Sequence, residues 1–203
     1  MRKIIKRLGY EPSSLTDWKT RNPNGNYKQL NSFVKKEIRL ECAKEQFYLC
    51  SYCCRSVSGT SIDCMNEHVT ARSIDQTREL DFSNIVTSCI EEHQCDNAHG
   101  SQPLPLTPFD SECETDIVFK LSGEAKACTP NATETIRVLN LNKAALVEER
   151  REIVTAILLD GSSGIDDDRD LIQSMILELD KVKQGKLQPF SPVIVNVLRQ
   201  WIA

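Results

Sequence analysis

Cys50-Ser51-Tyr52-Cys53, then Glu67-His68, then Asn84-Ile85-Val86-Thr87-Ser88-Cys89, then Cys95-Asp96-Asn97-Ala98-His99-Gly100: these four runs lie within residues 50–100 and carry most of the chain's chemistry. Cys50 and Cys53 are spaced for a tight knuckle that turns both thiolates toward one tetrahedral ion. Cys89 and Cys95, some forty residues on, would complete a four-cysteine zinc site, with a looser spacer than a knuckle. Cys54 crowds the first pair, so a swapped ligand stays open, as does a set of buried free thiols. Between the halves sits Glu67-His68. A carboxylate can hold a hard divalent cation, and an imidazole beside it can take a proton from water. An isolated Glu-His pair says little; one bracketed by two cysteine pairs says more.

The rest of the chain frames that stretch. Nine cysteines are present: Cys42, Cys50, Cys53, Cys54, Cys64, Cys89, Cys95, Cys113 and Cys128. The odd count, and a length that needs no covalent staple, argue for metal ligands and buried thiols over a disulfide framework. The N-terminus is basic but has no long apolar segment behind it, so a cytoplasmic protein is expected. No apolar run approaches the ~20 residues of a bilayer span. The net charge is −4, unevenly spread: residues 1–40 hold ten Lys/Arg against three Asp/Glu, the remainder fifteen against twenty-six. Such a basic segment either steers toward phosphate backbones or is simply solvated.

Periodicity predicts a helix over about residues 27–48, through Leu30, Phe33, Val34, Ile38, Ala43 and Phe47. The Pro- and Asn-rich runs 12–16 and 21–26 read as irregular. Residues 102–108 form an apolar, proline-rich connector expected to pack on the preceding site, and 116–121 a strand followed by a Ser-Gly turn. Three apolar stripes in the last third, separated at 160–164 and 185–192, predict helices. The expected fold is α+β, with a basic segment and helix over 1–48, a core over 49–130, and a helical region over 131–203 that packs on the core or a partner.

The order Cys50-x2-Cys53, Ile62-Asp63-x3-Glu67-His68, Asn84-Ile85-Val86, Cys89, Cys95-Asp96-Asn97-Ala98-His99-Gly100 resembles the HNH endonuclease motif. Over about residues 1–150, Gly9-Tyr10-Glu11-Pro12-Ser13-Ser14-Leu15, Glu45-Gln46-x3-Cys50-Ser51-Tyr52-Cys53 and Pro108-x4-Cys113-Glu114 look like the PtuB-like HNH subunits of Septu anti-phage defence systems, a subfamily also found with some retrons. The resemblance implies a ββα-metal core cradling Mg2+ or Mn2+, with a structural Zn2+ on the cysteines and an ABC-type ATPase (PtuA-like) as partner. It implies His68 as general base, Glu67 as cation ligand, and Asn84 as a structural amide holding His68 in register. Asn97 would be the second ligand, with His99 next. The chain departs from the commoner pattern at two points: His99 stands where many members have lysine, and Asp96 where the asparagine often follows the cysteine. Which of Asp96, Asn97 and His99 faces the cation stays open. Arg72 and Arg78, with Lys35, Lys36 and Arg39, are candidates for contact with nucleic acid, or solvated charges. The expected activity is hydrolysis of DNA phosphodiesters. The alternatives are an RNA nuclease, for instance on tRNA, and a zinc-stabilised docking module without catalysis.

Overall fold

The computed structural model describes residues 1–160 and 169–202. Among them the chain is α+β, with seven helices and two small antiparallel sheets. Helices α1 (Ser13–Arg21) and α2 (Ser32–Glu45) precede the hairpin of β1 (Cys64–His68) and β2 (Ile85–Cys89), which is followed by the one-turn helix α3 (Asp96–His99). A second hairpin, β3 (Ile117–Phe119) with β4 (Ala125–Ala127), leads into α4 (Pro130–Val138), α5 (Ala144–Asp160), α6 (Arg169–Leu179) and α7 (Ser191–Trp201).

The run expected to be irregular after Pro12 is instead the first turn of α1. Pro12 stands at the N-cap, where its missing N–H costs nothing, and its carbonyl accepts from Leu15 N at 2.9 Å. Leu15 is fully buried, so tertiary packing of one leucine outweighs the local turn signals. The helix predicted over 27–48 is shorter at both ends: residues 27–29 form a 3-10 turn closed by an Asn26/Gln29 capping box, Asn31 then caps α2 through Val34 N at 3.0 Å, and α2 stops at Glu45. Positive φ at Phe47 and Tyr48 ends that run and turns the chain toward the cysteines.

Strand β2 is buried along its whole length because apolar clusters cover both its faces. Ile85 joins Leu15, Val34, Ile38 and Phe82 in one cluster, while Val86 and Cys89 join the main core. One edge of β2 pairs with β1, in the register Cys64↔Cys89 and His68↔Ile85. On its other edge a side chain substitutes for a third strand. Gln46 accepts from Thr87 N and donates to Thr87 O, each at 2.7 Å, so the buried peptide groups stay satisfied.

The last third packs on this core. Phe190 N donates to the carbonyl of Cys54 at 2.9 Å, and Leu187 N to that of Phe47 at 3.1 Å. Asn196 on α7 accepts from Phe119 N at 2.8 Å, closing an edge of β3. The turn between β3 and β4 requires Gly123: its φ is +82°, and a Cβ there would sit 2.1 Å from the carbonyl oxygen of Val147. Of the breaker expected between the first two stripes, residues 161–164 lie outside the described residues. No helix among the described residues is long and apolar enough to cross a membrane.

Candidate functional site

Cys50, Cys53, Cys89 and Cys95 are brought together, fully buried, with their sulfurs all within 4.8 Å of one another. Local structure explains each placement. Leu49 bridges Ser56, so residues 50–55 form a tight turn, and its backbone closes through Cys54 N to Cys50 O at 3.1 Å. Cys89 is the last residue of β2, and Cys95 is the N-cap of α3. The Cys50–Cys95 and Cys53–Cys89 sulfur separations are 3.9 and 3.8 Å. Four thiolates around zinc at about 2.3 Å would stand roughly 3.8 Å apart, so the cluster already has the size of a tetrahedral site. Burial would push the Cys50 thiol up, but hydrogen bonds from Cys53, Cys89 and Cys95 outweigh it and hold Cys50 well below the usual thiol range. The cluster could hold a metal ion such as zinc. Cys54 is buried but lies outside the group of four.

Next to the cysteines opens a cleft of about 770 Å³, lined on its floor by Glu67, His68 and Asp96. Glu67 and His68 end β1 and are both buried. Glu67 Oε2 accepts from the backbone N–H of His68 at 2.9 Å, and its Oε1 from the Tyr52 hydroxyl at 3.0 Å. Tyr52 lies fully buried inside the cysteine knuckle, so one short turn serves both the sulfur cluster and the cleft.

His99 Nε2 lies 2.8 Å from the carbonyl oxygen of Gln102, an acceptor only, and so must carry the ring proton. Burial pushes the imidazole's pKa down, favouring the neutral ring, whose Nδ1 then presents its lone pair to Glu67 Oε1 at 2.5 Å. The contact has the distance of an ion pair, but a neutral imidazole makes it a lone pair facing a carboxyl oxygen, which is favourable only with a proton or a cation between them. Asp96 adds a second carboxyl in hydrogen-bond contact with Glu67; burial first, then that contact, pushes Asp96 up to about 8. Burial raises Glu67 as well.

Asn97 stands apart. It is exposed, and its Oδ1 accepts from the backbone N–H of His93 at 2.6 Å. The reason is helical geometry: residues 96 and 99 share a face, and residue 97 turns about 100° away from Asp96. The residues beside Glu67 are therefore Asp96 and His99, and the preference for Asn97 is corrected.

His68 Nε2 donates to the carbonyl of Glu79 at 2.9 Å, leaving Nδ1 as the free acceptor. Its ring meets the Tyr27 ring edge-on at 4.6 Å, and burial pushes its pKa down. Asn84 is fully buried. Its Oδ1 accepts from Thr70 N at 2.8 Å, and its Nδ2 donates to Thr70 O at 3.0 Å, tying down the loop that leaves His68. Arg72 reaches the cleft, whereas Arg78 is paired with Asp81 at 3.0 Å and does not line it. Lys35 and Arg39, one helical turn apart on α2, both line the cleft; Lys36 does not. Sequence reasoning missed Tyr52, Tyr27 and the Glu79 carbonyl. A large aromatic between two knuckle cysteines was the one available signal.

The fold and these clusters define a class: an α+β protein with four clustered cysteines that could bind a metal, beside a histidine-bearing cleft lined by both carboxylates and cations. Comparison with models of known protein families gave no match, and comparison with curated proteins gave none.

Proposed function

We propose that the chain is a metal-dependent endonuclease of the HNH type. The observation that supports this best is the convergence of Asp96 and the buried His99 ring on Glu67 at the edge of the cleft, next to a histidine whose Nδ1 is free. Glu67, Asp96 and an imidazole nitrogen form an electron-rich set suited to a divalent cation, and among the described residues neither carboxyl is ion-paired with a lysine or arginine. Glu67, Asp96 and His99 would hold Mg2+ or Mn2+; when bound, such an ion neutralises charge developing on the phosphate and the leaving oxygen.

The chain's own residues account for the rest. His68 Nδ1 takes the proton from the attacking water, and the Glu79 carbonyl keeps the ring in the tautomer that allows it. Tyr52 orients Glu67, and the Gln102 carbonyl orients His99. Cys50, Cys53, Cys89 and Cys95 would hold zinc, which would fix the knuckle and the start of α3 that together carry Tyr52, Asp96 and His99.

DNA is the proposed substrate, with RNA open to the same chemistry, and the resemblance to Septu and retron nucleases makes an ABC-type ATPase the proposed partner in an anti-phage role. The test is cleavage of matched DNA and RNA by the purified protein, alone and with an ABC-type ATPase encoded beside it, where one is found, in Mg2+ or Mn2+. Activity lost in a folded His68→Ala variant supports the mechanism, and full activity of that variant removes it. A zinc-loaded protein inert under every condition would favour the docking module.

A further inference from the structure

We propose that the cleft grips its substrate by the phosphodiester backbone alone, through Lys28, Lys35, Arg39 and Arg72, and so acts without reading base sequence. This rests on the nuclease reading above and adds the mode of substrate recognition. In an acidic chain most cations near the hairpin are already committed: Lys6 and Arg7 to Glu45, Arg55 to Glu149 and Glu91, Arg78 to Asp81. Among the described residues, the four cations that line the cleft have no carboxylate within ion-pair distance. They arrive from separate parts of the chain: the 3-10 turn, α2 and the loop after β1. Arg39 Nε is buried without a hydrogen-bond partner, so its guanidinium is not held by a neighbouring acceptor through that atom.

The same wall offers little to a base. Tyr27 is the one Tyr, Phe or Trp lining the cleft, and its ring is taken up. His68 meets it edge-on at 4.6 Å, Arg72 lies 5.2 Å and Lys35 5.4 Å from its centre. The Asn26 side chain is occupied in the capping box, and the Asn66 amide donates to the Tyr27 hydroxyl and to the Lys35 carbonyl. Four cations without a carboxylate partner outweigh the one exposed lining amide that makes no side-chain hydrogen bond, Gln76. Such cations without an open stacking face are the equipment of backbone binding, which positions a strand but carries no sequence information.

The test uses full-length, zinc-loaded His68→Ala protein, so that binding is read without cleavage. Fluorescence anisotropy would follow labelled oligonucleotides of two unrelated sequences, as DNA and as RNA, across a NaCl series. Arg72→Ala and Lys35→Ala are each expected to weaken binding about three- to tenfold, equally for both sequences and both sugars, and to flatten the log–log salt slope by about 0.7–0.9. Lys36→Ala, on the same helix but outside the cleft, is expected to change neither. A loss confined to one sequence or to RNA, an unchanged slope, or an equal loss from Lys36→Ala would overturn the proposal. Should the wild type cleave while the cleft variants bind like their parent, the wall is wrong and the nuclease reading stands. A protein that neither binds nor cleaves at low salt sinks both.

Discussion

Tyr52 joins the two halves of the site through a single hydroxyl. It is fully buried between two knuckle cysteines, donates to Glu67, and its ring lies edge-on to His99 with centroids 6.4 Å apart. Tyr52→Phe keeps the ring and removes only the donor, so the fold and zinc content should hold while Mn2+ affinity, read by EPR of the free ion, falls about ten- to hundredfold. Unchanged Mn2+ binding would deny Tyr52 that role. His68→Ala is expected to do the reverse. Mn2+ binding should persist, and cleavage should fall by roughly 10²–10⁴, the usual worth of a positioned general base. Loss of both together would place His68 among the ligands. The role of Tyr52 could not be assigned from the sequence, because an aromatic between two cysteines can equally face solvent; burial inside the turn decides it.

Among the secondary-structure elements, what the sequence made legible was periodicity and spacing, and what it hid was direction. The four cysteines, α2 and the helical last third follow from patterns that a single strand, turn or helix imposes on its own residues. The side that each residue of α3 presents does not. A one-turn helix has too few residues to show a stripe, so Asp96, Asn97 and His99 look equivalent until Cys95 is pinned as its N-cap. The α1 helix was hidden for the opposite reason: its local signals favour a turn, and only the pocket filled by Leu15 overrides them. Pinning by Cys95 also makes a prediction. Cys95→Ser should lower zinc content, measured by atomic emission, from one per chain toward zero and should lower Tm. Because Asp96 and His99 follow directly on α3, Mn2+ binding should weaken too. Retained zinc at full stoichiometry would mean that the four thiols do not act as one site.

Across the whole molecule, the cysteine cluster and the C-terminal helices belong to one packed unit. The main core runs without a break from Met1 and Ile4 through Cys50, Cys53, Cys89 and Cys95 to Ile194 and Leu198. Arg150 is buried in the same region, its Nη1 donating to the Leu141 carbonyl at 2.7 Å and its guanidinium lying 4.9 Å from the centre of the Phe119 ring. A surface helix recruited only by a partner would expose its apolar stripe; α7 instead buries Val193, Ile194, Val195, Val197 and Leu198. Its preceding turn is also hydrogen-bonded to the carbonyl of Cys54, next to the knuckle. Leu198→Ala should therefore cost about 2–5 kcal/mol of stability, the range for emptying a fully buried leucine site. The same logic extends to truncation. A chain ending at Asp180 removes α7 and uncovers the side of the core that supports the cysteine turn, so it should lose zinc as well as cooperative unfolding. Thermal melts followed by circular dichroism, run alongside zinc analysis of the same samples, measure both at once. A truncated chain that melts cooperatively and keeps one zinc would show that residues 1–180 fold independently, leaving α7 free to serve a partner.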